Sequence, residues 1–308
     1  MTRYRGRFAP SPTGRVHLGT ARTALVAWLR ARSEGGRFVL RMEDLDGPRV
    51  VAGAAAAILA DLRWLGLDWD EGPDVGGPLG PYTQSERFDR YERAVRALEA
   101  SDRLFRCTCS RKDLAGGRSA PHGEEPIYPG TCRNGATHPE RPAARRFRLE
   151  TPPAFVDGLA GPSAPGLGAG DFVVQRSDGS FTYQLAVSVD DHEMAITEVV
   201  RGDDLLSSTP KQIALLRALG AEPPGYLHVP LVLGPDGERL GKRHGSLALA
   251  ELKARGLPAE RIVTLLGRTL GLLDAEHPEL DARSLVEHVE VARLARAPVR
   301  LADADLRW

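Results

Sequence analysis

The chain has 308 residues, 42% of them apolar and 27% charged, and its 41 basic side chains are matched by 41 acidic ones. The composition is that of a soluble globular protein, the length allows a sizeable core in two or three compact units, and the charge balance leaves no overall positive field to draw in nucleic acid. The longest apolar run, residues 50–60, is too short to cross a bilayer, and the basic start lacks the apolar stretch of a secretory signal, so a cytoplasmic protein with no membrane partner is expected.

A first strand ends at Phe8 and Ala9, where Pro10, Pro12 and Gly14 break it, and from Gly19 the residues Ala21, Ala24, Leu25, Trp28 and Leu29 follow helical spacing. Free N–H groups and the positive end of that helix then face a crevice suited to phosphate. A second strand is predicted over residues 37–42, and a helix over 50–65 sets Ile58, Leu59, Leu62 and Leu65 on one face. Strand, helix, strand, helix is the order of a parallel sheet. Residues 68–82 read as a loop, after which Ser85 caps a helix carrying Phe88, Tyr91, Val95 and Leu98, and the first half ends near Leu104.

Residues 106–170 hold the cysteines, many prolines and the low-complexity stretch 158–170, and read as an insertion rather than a core. A hairpin follows, with arms at 172–175 and 182–189 around the turn Ser177-Asp178-Gly179-Ser180. Next come a strand at 196–201, a helix opened by Thr209 and Pro210 and running to Leu219, and the last strand of the sheet at 226–233. Beyond Gly245 the pattern is helical to about residue 296, carried by Leu247, Leu249, Leu252, Ile262, Leu265, Leu266 and Leu270.

The last predicted strand runs into a Gly-rich loop, residues 234–245, which clusters Arg239, Lys242 and Arg243. Taken with His17-Leu18-Gly19-Thr20, the segment Arg239-Leu240-Gly241-Lys242-Arg243 resembles the paired ATP motifs of class I aminoacyl-tRNA synthetases of the glutamyl type. Residues 37–46 and 80–85 match that family too, so the resemblance covers most of residues 5–270. It implies an α/β fold: a Rossmann-like doubly wound parallel sheet in two halves, residues 1–105 and 183–245. An inserted zinc-binding, RNA-contacting subdomain would occupy 106–182, and a C-terminal helical subdomain 246–308. It also implies ATP with Mg2+, and L-glutamate as the amino acid.

Activating an amino acid needs no general base, because the attacking carboxylate is already ionised; positive charge and alignment carry the catalysis. His17, Thr20 and the helix start at Gly19 are placed for the triphosphate, and Gly19 lets adenine or ribose approach the backbone. By resemblance, Lys242 stabilises the charge developing on the phosphates. Gly241 stands where the family commonly has serine and Arg239 where it has lysine, which removes a side-chain hydroxyl from the loop. Glutamate carries two carboxylates and an ammonium, so its site needs an arginine fork and an acid, a demand that Arg7, Glu43 and Arg201 meet. Carried over from the family, Arg7, Tyr183 and Arg201 hold the side-chain carboxylate and Glu43 the ammonium. Ser11 takes the α-carboxylate end, with Phe8, Ala9 and Pro10 completing the site. Read without the resemblance, Arg41-Glu43 and Arg201-Asp203 make structural ion pairs and Tyr183 a core aromatic.

Cys107, Cys109 and Cys132 place three thiols in an insertion with little apolar content, which a tetrahedral zinc would staple. His122 and His138 are ordinary choices of fourth ligand; Tyr128 is the position that short members of the family use. Local RNA contact could come from Arg103, Arg106, Arg111, Lys112, Arg133, Arg141, Arg145 and Arg146, which crowd one region. The short stretch after Lys242 matches those short members, which esterify glutamate onto the queuosine base presented by the anticodon arm of tRNA(Asp). The resemblance thus implies that RNA as partner of a monomeric protein.

Overall fold

The computed structural model describes residues 3–114, 127–234, 236–240, 247–301 and 305. In chain order the first half runs β1 (Arg5–Phe8), α1 (Leu18–Ser33), β2 (Arg37–Leu40), α2 (Ala54–Trp64) and α3 (Phe88–Ala100). The middle stretch supplies β3 (Leu104–Cys107), the short α4 (Arg111–Leu114), β4 (Ala144–Phe147), β5 (Val156–Asp157), β6 (Gly161–Pro162) and β7 (Phe172–Gln175). There follow α5 (Tyr183–Glu193), β8 (Glu198–Gly202), α6 (Thr209–Ala218), β9 (Gly225–Val229) and β10 (Val232–Leu233). The chain closes with α7 (Leu249–Ala254), α8 (Ala259–Thr269), α9 (Ala282–Leu285) and β11 (Val299–Arg300).

The fold is α/β around a parallel sheet in the order β2-β1-β8-β9. Side chains alternate across its two faces. Phe8, Leu40, Val200, Leu227 and Val229 enter the main core with Ala24, Leu25 and Trp28 of α1, whereas Val39, Val199 and Tyr226 pack with Met194 and Ile213. Burial on both faces gives β2 and β9 apolar side chains at successive positions, while β1 and β8 each carry a buried arginine, Arg7 and Arg201, near their carboxyl ends. The neighbours of β1, β2 and β8, lie on its two sides and come from stretches far apart in the chain, so the connections leaving β1 and β8 diverge and open a crevice at their carboxyl ends.

Several sequence expectations are corrected by the packing. The helix expected from residue 50 starts only at Ala54, because Gly53 sits at φ +77 and Val50 and Val51 are exposed. Ser85 caps no helix; its N–H and hydroxyl both donate to Asp44, and α3 begins after it. The hairpin turn forms around Gly179, but its second arm is only the bridge of Phe181 to Gln175, and residues 183–189 are helical. Leu185, Ala186 and Val189 bury at helical spacing against Tyr91 and Leu98 of α3, and this packing outweighs the local strand propensity. The expected strand 226–233 is divided after Val229: β10 leaves the sheet and pairs in parallel with β11.

The middle stretch is also better packed than its composition suggests. Its antiparallel sheet β3-β4-β7 shares an apolar cluster, with Phe147, Phe172 and Val174, with α3 and α5. At the other end, Leu249 and Leu252 of α7 and Ile262 and Leu266 of α8 join the main core beside α1, interrupted by turns rather than continuously helical. Among the described residues, no helix is long and apolar enough to cross a membrane.

Candidate active site

Where β1 ends, the backbone turns out through residues 9–17, pinned by the N–H of Glu43 to the carbonyl of Pro10 (3.0 Å) and that of Val51 to Pro12 (3.0 Å). The breakers thus convert a central strand into the floor of a cleft of about 640 Å3. Its lining brings together Arg7, Phe8, Ala9, Pro10, Ser11, His17, Gly19, Thr20, Glu43, Tyr183 and Arg201, residues from five separate stretches of the chain. A volume of this size suits a nucleotide with an amino acid beside it.

His17 stands at the N-cap of α1, so Leu18, Gly19 and Thr20 form its first turn, and the positive end of the helix meets the cleft at His17, Gly19 and Thr20. A Cβ added to Gly19 would meet only Val232 at 3.5 Å and Leu240 at 3.9 Å, so packing alone does not demand glycine there. Lys242 and Gly241 lie outside the described residues. The flanks of their segment border the cleft: Leu240 and Arg239 line it, Arg239 pairs with Asp204 on its rim, and Ala248 bridges to His17.

At the other end of the cleft the charges are layered. Arg7 donates to both oxygens of Asp191 (3.2 and 3.3 Å) and to the carbonyl of Val200 (3.1 Å). Arg41, fully buried, donates to Asp191 at 2.8 Å and to Glu43 at 3.1 Å. Burial works against the Asp191 anion, yet Arg7 and Arg41 hold its pKa below the ordinary carboxylate range. For Glu43 burial wins over Arg41 and Arg7 and pushes the carboxyl up, so an added cation would stabilise its ionised form.

Arg201 differs in kind. It is 5% exposed, and among the described residues no carboxylate oxygen lies within 4.0 Å of its guanidinium; the expected pair with Asp203 does not form. Its partners are instead neutral: His228 Nε2 (3.0 Å), Gln212 Oε1 (2.7 Å), Thr209 Oγ1 (2.8 Å), and at longer range Tyr183 Oη (3.3 Å) and the Leu205 carbonyl (3.4 Å). Asp191, and the Arg201 partners His228 and Gln212, escaped the sequence reading, since none belongs to a motif and none lines the cleft, whereas the expected Arg41–Glu43 pair forms.

The cysteine cluster lies apart from the cleft, at the end of β3. The Sγ atoms of Cys107, Cys109 and Cys132 all lie within 4.8 Å of one another, with 3.6 Å between Cys109 and Cys132. The Tyr128 hydroxyl is 3.5 Å from Cys107 Sγ and 3.7 Å from Cys109 Sγ. Sulfurs around a tetrahedral zinc are about 3.8 Å apart, so this donor set fits that ion. Burial opposes the Cys132 thiolate, but hydrogen bonds from Thr137 and Thr108 bring it down to about 5, near the anionic form a zinc ligand needs. His138 faces Glu140 rather than the sulfurs, and His122 lies outside the described residues.

The expected basic stripe is divided by the fold. Arg133 pairs with Asp171, Arg145 with Glu99 and Arg141 with Asp113, while Arg146 is buried 4.0 Å above the Tyr128 ring. Arg103, Arg106 and Lys112 remain exposed.

The chain matches the family model for tRNA synthetases class I (E and Q), catalytic domain, over residues 3–308. It is 52% identical to the glutamyl-Q tRNA(Asp) synthetase of Symbiobacterium thermophilum over 96% of this chain and 95% of that one. To the glutamyl-Q tRNA(Asp) synthetase of Nitratidesulfovibrio vulgaris it is 48% identical, over 96% and 94%. The crystal structure of a glutamate tRNA ligase from Elizabethkingia meningosepticum, in complex with its amino acid, superposes with a TM-score of 0.86 at 29% identity, covering 99% of this chain and 68% of that one. With the cleft, the helix N-terminus and the buried arginine all in one place, the chain belongs to the class I tRNA synthetases of the E and Q type and is a ligase.

Proposed function

We propose that this protein activates L-glutamate with ATP and transfers it to the queuosine base of tRNA(Asp). The observation that carries the reading is the cleft itself: a helix N-terminus at one end and, at the other, a buried arginine that has no anionic partner among the described residues, in a chain about half identical to glutamyl-Q tRNA(Asp) synthetases along nearly their whole length.

In the first step the α-carboxylate of glutamate attacks the α-phosphorus of ATP, and pyrophosphate leaves. His17, Thr20 and the α1 N–H groups bind the triphosphate, Gly19 gives the nucleoside access to the backbone, and Lys242 supplies charge to the phosphates as the bond breaks. Mg2+ accompanies the nucleotide. The side-chain carboxylate lies against Arg201 and Tyr183 with Arg7 behind, Glu43 receives the ammonium, and Ser11 with the Phe8 to Pro10 backbone holds the α-carboxyl end. In the second step a cyclopentene hydroxyl of queuosine attacks the acyl carbon, AMP leaves, and the hydroxyl proton passes to the released phosphate. The sheet is read as the doubly wound nucleotide-binding type, with residues 106–182 as its zinc-stapled, RNA-contacting insertion and residues 246–308 as a helical subdomain. Zinc on Cys107, Cys109, Tyr128 and Cys132 would serve as a structural staple. The protein is read as a cytoplasmic monomer.

Glutamate-dependent exchange of labelled pyrophosphate into ATP, run with the tRNA present, tests the activation step. Lys242→Ala is expected to lower exchange about 100-fold, the scale of losing one transition-state charge contact. Unchanged turnover in that variant would refute the role given to Lys242, and absence of exchange in the parent protein would favour a non-catalytic binding role.

A further inference from the structure

The hydrogen bonds of Arg201 divide by direction. The three short ones go to His228, Gln212 and Thr209, none of which lines the cleft; the two long ones go to Tyr183 and Leu205, which do. The long pair uses one N–H of each Nη, the fork that a carboxylate engages with two parallel bonds. Arg201 is therefore held from behind, with its fork toward the cleft.

Behind it stands a buried relay. Arginine can only donate, so His228 accepts at Nε2; the imidazole proton then sits on Nδ1 and is donated to Asp157 Oδ2 at 2.6 Å. Asp157 belongs to β5, at the edge of the low-complexity stretch 158–170, in the segment that the sequence marks as an insertion. Its Oδ1 also accepts the N–H groups of Leu159 (2.9 Å) and Ala160 (2.8 Å), and both its oxygens lie 3.2 Å from the His228 backbone N. His228 is 1% exposed and Asp157 3%. A carboxylate placed directly on Arg201, as Asp191 is on Arg7, would cancel the charge the cleft offers to an anion. A neutral imidazole orients the guanidinium and leaves that charge in place.

We propose that His228 and Asp157 are positioning residues that fix the Arg201 fork toward the ligand, and that they thereby set the selectivity of the cleft for an acid side chain over the corresponding amide. An amide NH2 turned to the same fork would set donor against donor. The inference rests on the reading that Arg201 meets the glutamate side chain.

The test is pyrophosphate exchange with glutamate and with glutamine, tRNA present, on the parent protein, His228→Leu, His228→Gln, Asp157→Asn and Arg201→Lys, with melting temperatures measured for each. His228→Leu removes the acceptor; it should raise the KM for glutamate about 10-fold, leave the KM for ATP within about twofold, and shrink the glutamate-to-glutamine ratio of kcat/KM about 10-fold. His228→Gln keeps an acceptor near the Nε2 position and should recover most of that loss, and Asp157→Asn should fall between. If His228→Leu does not fold, the contrast between His228→Gln and Asp157→Asn decides: a lower ratio in the asparagine variant supports the relay, and equal ratios at the parent value refute it. Parent-like selectivity in a folded His228→Leu, or no rescue by glutamine, also overturns the proposal. Should Arg201→Lys retain the parent kcat/KM for glutamate, the assignment of the carboxylate to Arg201 itself fails; should it lose activity while His228→Leu does not, only the positioning role fails.

Discussion

At Gly19 stability and activity separate. The space beside its α-carbon accepts a methyl at ordinary contact distance from Val232 and Leu240, and alanine favours a helix over glycine by about 1 kcal/mol. Gly19→Ala should therefore melt no lower than the parent, while its KM for ATP rises about 10-fold or more because the methyl occupies the cleft wall where the nucleotide approaches. Thermal melting and exchange kinetics on one preparation check both halves; a lower melting temperature with an unchanged KM would mean that the residue serves packing instead. Arg201 makes the complementary case. Its neutral partners let it keep its charge while buried, whereas Arg7, equally buried, has its charge matched by Asp191. Sequence reading singled out both arginines from their residue type and position but could not rank them, since the difference lies in partners distant along the chain.

Among the elements, the β5–β6 hairpin ties the middle stretch to the parallel sheet through Asp157. Burial alone would push that carboxyl up, but the His228 ring and the N–H groups of Ala160 and Leu159 hold it down to about 2. His228 is itself lowered, chiefly by burial. Both folded values lie below the unfolded ones, so both contributions are present at neutral pH and are lost on acidification: the histidine's below about pH 6.5, the aspartate's between about pH 4 and pH 2. Asp157→Asn should cost about 2 kcal/mol at pH 7 and about 1 kcal/mol or less at pH 2.5, read from urea unfolding at the two pH values. A pH-independent difference would remove Asp157 from the ion-pair account.

The cysteine cluster offers a second test among the elements. Metal analysis should find one zinc per chain, and Cys132→Ser should lose it and lower the melting temperature while the KM values for ATP and glutamate stay within about twofold. Full stability in a metal-free Cys132→Ser protein would contradict the staple. The β1-turn-α1 unit was legible because Pro10, Pro12 and Gly14 can only interrupt a strand. The helix at residues 183–193 was not, because Leu185 and Val189 find their partners on α3, some ninety residues earlier, and no local pattern carries that information. For the same reason the middle stretch looks coreless in the sequence: Phe147 and Phe172 pack on each other across β4 and β7 and share one apolar cluster with distant residues of α3 and α5.

Over the whole molecule, the cleft exists because distant segments converge on the carboxyl ends of β1 and β8. The turn after β1, the first turn of α5, the end of β8 and the segment before residue 241 all reach it, and the N–H of Leu249 closes onto the carbonyl of Val16 at 2.8 Å. One apolar core joins α1 to α7 and α8, so the helix that opens onto the cleft packs directly on the described C-terminal helices. Such an arrangement serves two successive reactions of one carboxyl group, attack of its oxygen on the α-phosphorus and then ester formation at its carbon. The most direct measurement is the transfer of labelled glutamate from ATP-activated mixtures to purified tRNA(Asp) with queuosine, to the same tRNA without it, and to tRNA(Glu). The account predicts label on the queuosine-bearing tRNA(Asp) alone; equal label on tRNA(Glu), or on tRNA(Asp) lacking queuosine, would contradict it.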